Sequence, residues 1–239
     1  MSRTVPLSVL MPAYNEEAAI ALAVRDAQQR VLDCVPGAEL VVVNDGSRDG
    51  TGRVLDQLGA TDPRIRVIHQ PNSGHGGAVM AALEAARGER LFLIDSDCQI
   101  PLDDFASAWA RMSNGLDGVF GVRRNRNDPA LRLWLSRVIR VTVRALFAVD
   151  IVDANVPYKL LRRSVWEDAR SSIPRGTLAP SLFLAIYAKR HGYRIVELEV
   201  AHKRRGTGEV SIRRLKLAKF CAKGLRQMVA FRRRLADVR

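Results

Sequence analysis

Short apolar segments alternate with helix-like segments over the first 120 residues, and this alternation constrains the fold more than any other feature of the sequence. The apolar segments are uninterrupted and rich in Val, Ile and Leu, which is typical of parallel strands covered on both faces. They lie at 7–11, 39–43, 65–68, 91–94 and 118–121, with helical patterns at 16–32, 51–58 and 78–86. The order predicts an α/β fold, a doubly wound and mainly parallel sheet with helices on both faces.

Such a sheet binds its ligands beyond the carboxyl ends of its strands. An Asp-Ser-Asp triplet, Asp95 to Asp97, follows the strand predicted at 91–94. Carboxylates at this edge are costly unless a cation neutralises them, and oxygen ligands suit Mg²⁺ or Mn²⁺, which complete their shells with substrate phosphates. Gln99 is placed to supplement such a site. An Asx turn that caps the next helix is the alternative, and for an isolated triplet it is the more frequent one.

Two further polar motifs follow predicted strands. Asp45, within the turn cluster at 44–51, can accept hydrogen bonds from a base or a ribose, and a plain β–α turn is the alternative. Tyr14 can stack on a base with Glu16 near the ribose, whereas capping of the next helix by Asn15 is the simpler explanation.

A glycine-rich segment at 72–78, which includes Gly74, suggests a dinucleotide-binding turn, with Asp95 about twenty residues further on. Val79 occupies the position at which that pattern has its third glycine. The signal for a dinucleotide is therefore weak, and a close backbone approach to a phosphate or sugar remains open.

The net charge of +13 is divided unequally, with −6 over residues 1–120 and +19 over residues 121–239. Arg123 follows a predicted strand, and His202 to Gly206 form a basic polar stretch. Arginine forks suit phosphate oxygens, although solvated surface arginines are the alternative. Basic amphipathic helices are predicted at 131–149 and near 211–234, and such helices lie on anionic membrane surfaces.

In their order and spacing these motifs resemble glycosyltransferase family 2, and within it the dolichyl-phosphate mannose synthase-like group. The resemblance covers residues 7 to about 211. The motifs that carry it are Pro12-Ala-Tyr-Asn-Glu16, Asn44-Asp-Gly-Ser-x-Asp49, Asn72-x-Gly-x-Gly76, Asp95-Ser-Asp-x-Gln99, Gly121-x-Arg123, Asp153 and His202-x-x-Arg205.

This resemblance implies an A-type glycosyltransferase fold and an inverting metal-dependent reaction. The implied nucleotide-sugar contacts are Pro12, Tyr14, Glu16, Asp45, Gly74, Asp95 and Ser96. The implied ligands of Mg²⁺ or Mn²⁺ are Asp95, Asp97 and Gln99. The implied catalytic residues are Asp97, Arg123 and Arg205, and the acceptor side would include Arg123, Asp153, His202 and Arg205.

The resemblance also implies transfer of a mannose- or glucose-type hexose from a GDP- or UDP-sugar to a polyprenyl phosphate. No residue stands out as a general base, and a phosphate acceptor needs none because its oxygen is already anionic. Members of the group commonly carry a Gly-Phe pair where this chain has 153–159, so a soluble small-molecule acceptor is the second hypothesis. Many relatives continue into transmembrane helices, so a membrane-protein partner or a homo-oligomer is also considered.

The remaining expectations concern organisation and location. A glycosyltransferase domain at 1–210 and a basic helical segment at 211–239 are predicted. No 18-residue apolar run, no secretory signal and three scattered cysteines favour a cytoplasmic protein, peripheral on the cytoplasmic face of a membrane. An NAD(P)-binding oxidoreductase and a nucleic-acid binder are alternatives of other classes, and the acidic first half argues against nucleic acid.

Overall fold

The computed structural model describes residues 4–124, 130–154, 156–203 and 214–237, and within them one seven-stranded sheet is flanked by helices. The strands are β1 (Leu7–Ala13), β2 (Glu39–Asp45), β3 (Ile65–Gln70), β4 (Arg90–Ile94), β5 (Gly118–Arg123), β6 (Tyr158–Arg162) and β7 (Ile195–Val200). The helices are α1 (Ile20–Ala27), α2 (Thr51–Thr61), α3 (His75–Ala85), α4 (Phe105–Ser113), α5 (Ala130–Phe147), α6 (Arg163–Ala169), α7 (Pro180–Arg190) and α8 (Arg214–Asp237). A π-helical turn, Gln28–Leu32, continues α1.

The strand order is β3-β2-β1-β4-β6-β5-β7. The pairs β2–β3, β1–β2, β1–β4 and β5–β7 are parallel, whereas β6 runs antiparallel to both β4 and β5. The prediction of an α/β fold with a mainly parallel sheet is therefore confirmed. Because an antiparallel strand begins where its neighbours end, Tyr158 lies opposite Ile94, and the residues before β6 join the carboxyl edge of the sheet.

The sheet separates two apolar layers. All seven residues of β2 are buried, and the apolar run at 40–43 is typical of a strand covered on both faces. On one face, residues of α3, α5, α6, α7 and α8 share an apolar layer with the strands, and on the other, residues of α1, α2 and α4 do so. In α8, Phe231 is fully buried, with its ring 4.8 Å from that of Phe183 and 5.8 Å from that of Phe147. The C-terminal helix thus contributes to the core.

Several element boundaries differ from the sequence predictions. The first strand runs through Pro12 to Ala13, and the missing N–H of Pro12 is tolerated because pairing with β4 already ends at Leu10. The first helix begins at Ile20 rather than at residue 16, and α3 begins at His75 rather than at residue 78. Strand β6, which lies between β4 and β5, was not predicted.

None of the helices in the part of the chain that the structure describes is long and apolar enough to cross a bilayer.

Candidate functional site

The predicted site residues collect at one edge of the sheet. The segments that follow β1, β2, β4, β5 and β7 all lie there because these strands are parallel, and the segment before antiparallel β6 joins them. Gln99 and the chain after β7 also meet there, since the backbone N–H of Lys203 donates to the carbonyl of Gln99 at 2.8 Å. This contact brings half-buried His202 near the Asp-Ser-Asp turn. Arg205 lies outside the described residues, so its role remains a prediction.

The loops after β1 and β2 are joined by hydrogen bonds. The N–H of Asn15 donates to the Ser47 hydroxyl at 3.0 Å, and the N–H of Arg48 donates back to the Asn15 side-chain oxygen at 2.8 Å. The N–H of Glu16 donates to the Thr51 hydroxyl at 2.9 Å. Asn15 therefore links two loops and does not cap α1, which has no side-chain cap. These two loops form one polar rim.

Tyr14 and Glu16 lie on this rim and remain accessible. The Tyr14 side chain is 43% exposed, and Glu16 is half-buried. An exposed aromatic ring beside backbone turns is suited to stacking on a base. The structure thus leaves Tyr14 accessible on the rim, while Pro12 is buried at the base of the same loop. The nucleoside contact remains a prediction.

Asp45 is buried, and its carboxylate holds the glycine-rich loop. Its Oδ1 accepts hydrogen bonds from the Gln70 amide at 2.7 Å, the Ser73 N–H at 2.8 Å and the Ser73 hydroxyl at 2.9 Å. The next residue, Gly46, has a φ of +67°, and a Cβ there would lie 2.7 Å from the backbone nitrogen of Asn72. The role that the structure shows for Asp45 is to join β2 to the loop before α3, and a nucleoside contact remains a prediction.

The glycine-rich segment begins helix α3 and packs against the chain before α7. Gly74 is exposed with a φ of +80°, and nothing lies within 4 Å of a Cβ there. A Cβ on Gly76 would lie 2.0 Å from the carbonyl oxygen of Thr177. Close approach between two segments of this chain therefore accounts for Gly76 without a dinucleotide.

Burial at the end of β4 raises the pKa of the Asp95 carboxyl. The positive charge of His75 opposes this shift, the negative charge of Asp97 adds to it, and the charges of Lys159 and Arg123 oppose it. A raised pKa means that the ionised carboxylate is costly in this structure unless further positive charge is supplied.

The two carboxylates fit a divalent cation. The Oδ1 of Asp97 accepts the N–H of Gln99 at 3.1 Å, so an Asx turn is present and fixes this carboxylate. The turn does not cap the next helix, as the alternative had it, because α4 begins only at Phe105. The described residues contain no group of three His, Cys, Asp or Glu side chains that would hold a metal alone. A cation held by Asp95 and Asp97 would therefore need ligands from elsewhere, and Mg²⁺ or Mn²⁺ typically takes them from substrate phosphates.

Arg123 forms a buried ion pair. Its Nε and Nη2 donate to Oδ2 and Oδ1 of Asp153 at 2.7 and 2.8 Å, and the side chains are 9% and 4% exposed. The sequence placed both residues at the site but did not pair them. Arg123 thus connects the end of β5 to the segment before β6.

Sequence reasoning missed Lys159, which is fully buried in β6. Its Nζ donates to the carbonyls of Val156 at 2.7 Å and Ala154 at 3.3 Å. Burial lowers the pKa of Lys159 to about 8, partly offset by the charge of Asp153. A lysine that lies directly between an aromatic residue and two leucines was the available signal.

A cavity of about 570 Å³ opens from the carboxylate end of the site. Pro12, His75 and Asp95 line it there, and most of the remaining lining residues belong to α3, α5, α7 and α8. Residues of β1, β4 and the segments before β6 and α7 complete the lining. Its walls are mostly hydrocarbon, and its size is within the range of natural ligand sites.

The sequence profile of glycosyl transferase family 2 matches residues 8–170. The chain belongs to glycosyltransferase family 2. Among its curated relatives, an undecaprenyl-phosphate 4-deoxy-4-formamido-L-arabinose transferase of Pseudomonas aeruginosa is 31% identical over 205 residues, covering 85% of this chain and 59% of the relative. The enzyme of that name from Shewanella sediminis is 30% identical over 211 residues, covering 85% of this chain and 60% of the relative. The chain thus spans about three fifths of these relatives.

Solved structures show the same fold. Glucosyl-3-phosphoglycerate synthase of Mycobacterium tuberculosis, in complex with Mn²⁺, UDP-glucose and glycerol 3-phosphate, has a TM-score of 0.64 at 20% identity and covers 95% of this chain and 78% of its own. A mannosyltransferase of Pyrobaculum calidifontis, in complex with GDP-mannose and Mn²⁺, has a TM-score of 0.63 at 20% identity and covers 96% and 64%. The family 2 chain therefore has the A-type glycosyltransferase fold predicted from its sequence.

Proposed function

We propose that this family 2 chain is an inverting glycosyltransferase that moves a hexose from a GDP- or UDP-sugar to a polyprenyl phosphate. The observation that carries the proposal is the position of Asp95 and Asp97, at the carboxyl edge of β4 between a polar rim and an apolar cavity. The names of the curated relatives support a polyprenyl phosphate acceptor. Family membership favours glycosyl transfer over the oxidoreductase and nucleic-acid alternatives.

Departure of the nucleoside diphosphate leaves negative charge on its phosphates. A divalent cation held by Asp95 and Asp97, with Gln99 beside them, supplies positive charge where that charge develops. Tyr14 and Glu16 on the rim hold the nucleoside, and Asp45 fixes the adjoining loop. The buried positive charge of Lys159 and the Arg123–Asp153 pair orient the segment before β6 on the acceptor side. A phosphate acceptor is anionic and attacks without a base.

A soluble phosphorylated acceptor is the second candidate. The Mycobacterium tuberculosis structure that shares this fold holds glycerol 3-phosphate together with UDP-glucose. A small phosphate ester would use the same cation and the same acceptor-side residues. It would leave the apolar cavity without an occupant, and for that reason we favour the lipid acceptor.

The proposed enzyme lies on an anionic membrane surface. On α5, Trp134 and Val141 are 57% and 67% exposed, and the basic residues Arg137 and Arg144 lie on the same helix. On α8, Leu225 is 49% exposed among further arginines and lysines. Exposed tryptophan and aliphatic side chains beside basic residues are typical of helices that lie in the headgroup region.

Vesicle sedimentation tests the membrane surface. Trp134→Ser is expected to reduce sedimentation with anionic vesicles, and wild type is expected to sediment less with neutral ones. Leu22→Ser is the matched control, because Leu22 is 62% exposed on α1, a helix on the other face of the sheet. Equal effects of the two substitutions would contradict the proposal.

Donor and acceptor are tested together with the purified chain. GDP- and UDP-hexoses are first compared by thermal shift with Mn²⁺ and with Mg²⁺, and we expect stabilisation by one nucleotide class that requires the cation. Transfer from that donor is then measured to undecaprenyl phosphate and to glycerol 3-phosphate. Transfer to the lipid supports the proposal, transfer to glycerol 3-phosphate alone supports the second candidate, and failure of every donor to bind overturns both.

A further inference from the structure

The cavity beside Asp95 has a polar end and a long apolar remainder. Among the described residues that line it, the titratable side chains are Asp95, His75 and Cys221, and the other polar side chains are uncharged. Gln227 also lines it, but its amide is engaged by the chain before α7, accepting from the Leu178 N–H at 3.0 Å and donating to the Gly176 carbonyl at 2.9 Å. The cavity therefore offers hydrocarbon beyond its carboxylate end.

The other end of the cavity reaches the protein surface between α5 and α8. Val138, Cys221 and Leu225 line the cavity and are also exposed. Val138 and Leu225 lie on the helices that carry the basic and apolar surface described above. The cavity is thus continuous from the reacting edge of the sheet to the face proposed to lie on the membrane.

Its volume is large for a void. Protein interiors leave few spaces larger than a water molecule, and an apolar cavity costs stability in proportion to its size. A volume of about 570 Å³ with apolar walls is in the range of a site for a small molecule. An amphiphile with one anionic end and a flexible hydrocarbon chain matches both the polarity and the two openings.

We infer that this cavity binds the isoprene units nearest the phosphate of the lipid acceptor, so that the catalytic domain itself holds the start of the chain. The phosphate lies toward Asp95 and its cation, and the distal chain leaves between α5 and α8 toward the bilayer. The inference rests on the proposed function. It adds that acceptor recognition depends on chain length as well as on the phosphate.

Gly224 on α8 provides a way to block the cavity. It lines the cavity, its φ is not positive, and a Cβ built on it meets no atom of the described part of the chain within 4 Å. A phenylalanine side chain at this helical position would extend into open space without a backbone clash. Ala236→Phe is the matched control, because Ala236 is an exposed small residue of α8 that does not line the cavity.

The experiment compares transfer to geranyl, farnesyl and undecaprenyl phosphate in detergent. In wild type, the KM for the acceptor is expected to be at least about tenfold lower for farnesyl than for geranyl phosphate, since each buried methylene contributes about 0.8 kcal/mol to binding. Gly224→Phe is expected to remove most of this dependence and to leave the KM for the donor unchanged, and Ala236→Phe is expected to behave as wild type. A KM independent of chain length, or a Gly224→Phe variant with the wild-type dependence, overturns the inference while the proposed function stands.

Chemical labelling of Cys221 tests whether the lipid occupies the cavity, and it does not require glycosyl transfer. Farnesyl phosphate is expected to slow maleimide modification of Cys221 at least about threefold. A lipid bound in most of the cavities covers this thiol, so only the unoccupied fraction reacts. Cys34, which is exposed elsewhere in the chain, serves as the reference thiol, and inorganic phosphate tests the headgroup alone. Protection of Cys221 supports the cavity assignment even if no transfer is detected, in which case the proposed function fails. Unchanged labelling of Cys221 at saturating farnesyl phosphate overturns the assignment.

Discussion

Arg123 and Asp153 form a two-nitrogen ion pair that is almost completely removed from water, although 30 positions separate them in the chain. The pair joins the end of β5 to the segment that leads into β6. It therefore couples β5, the second strand from one edge of the sheet, to the acceptor side of the proposed site.

Removal of one partner of this pair is expected to be costly. Asp153→Ala leaves the Arg123 guanidinium buried without its carboxylate, and we expect a loss of about 3–5 kcal/mol in the free energy of unfolding, measured by urea denaturation. The double variant Arg123→Met/Asp153→Leu is expected to recover most of that loss without recovering transfer. Asp150→Ala breaks the exposed pair with Arg140 and is expected to cost less than about 1 kcal/mol. Similar losses for Asp153→Ala and Asp150→Ala would argue against the structural role of the buried pair.

Asp97 is expected to serve the ligand rather than the stability of the fold. Asp97→Ala removes one of the two carboxylates at the end of β4, and we expect at least about a hundredfold loss of transfer, as for removal of a group that stabilises charge in the transition state. Calorimetry with the donor and Mn²⁺ is expected to show no cation-dependent binding. Asp103→Ala, which removes an exposed carboxylate paired with Arg30, is the control. Retention of activity by Asp97→Ala would exclude the cation site.

Gly76 is expected to be the least replaceable residue of the glycine-rich segment. A Cβ at this position would lie 2.0 Å from the Thr177 carbonyl oxygen, so Gly76→Ala must separate α3 from the chain before α7. We expect a loss of about 1–3 kcal/mol in the free energy of unfolding, typical of overpacking. Gly224→Ala is the control, because a helical glycine facing open space is expected to gain up to about 1 kcal/mol. The opposite order of these two variants would show that α3 and this chain segment do not make the contact.

The buried lysine is expected to make stability depend on pH. The pKa of Lys159 is about 8 in the folded chain and 10.5 in an ordinary environment, so between these values the unfolded chain binds more protons. The contribution of Lys159 to the free energy of unfolding therefore becomes more favourable as pH rises from about 8 toward 10.5, by up to about 3 kcal/mol. Over this pH range, the free energy of unfolding of wild type is therefore expected to rise relative to that of Lys159→Met. Lys223→Met, at an exposed position, is expected to show no such shift, and a flat difference for Lys159→Met would contradict the buried charge.

The strands with continuous apolar sequences could be predicted, because a strand buried on both faces carries apolar residues along its length. Strand β6 could not, since it begins directly after Pro157 and only its pairing with β4 and β5 places it in the sheet. The helix start at Ile20 was also missed, because Glu16 donates its N–H to Thr51 in another loop. Contacts between distant segments override local pattern in both cases.

The candidate site also combines features that follow from local sequence with features that depend on contacts between distant segments. Asp95 and Asp97 could be placed at the carboxyl edge of the sheet because they directly follow an apolar strand, and their role as cation ligands remains a prediction. The engagement of Asp45 by Gln70 and Ser73 was not identifiable, nor was the pairing of Arg123 with Asp153, since both depend on which loops become neighbours. The division of the chain at residue 210 remains a prediction, and Phe231 shows that α8 shares the core of the preceding residues.

The reversed direction of β6 has a consequence for how such enzymes diversify. The residues proposed to hold the donor follow the carboxyl ends of parallel strands, whereas the segment that contains Asp153 enters the same edge from the opposite direction. Replacement of that short segment would therefore leave the donor loops and their strand register intact. If the proposed roles hold, exchange of this single connection would change acceptor preference in evolution without altering the loops proposed to bind the nucleotide.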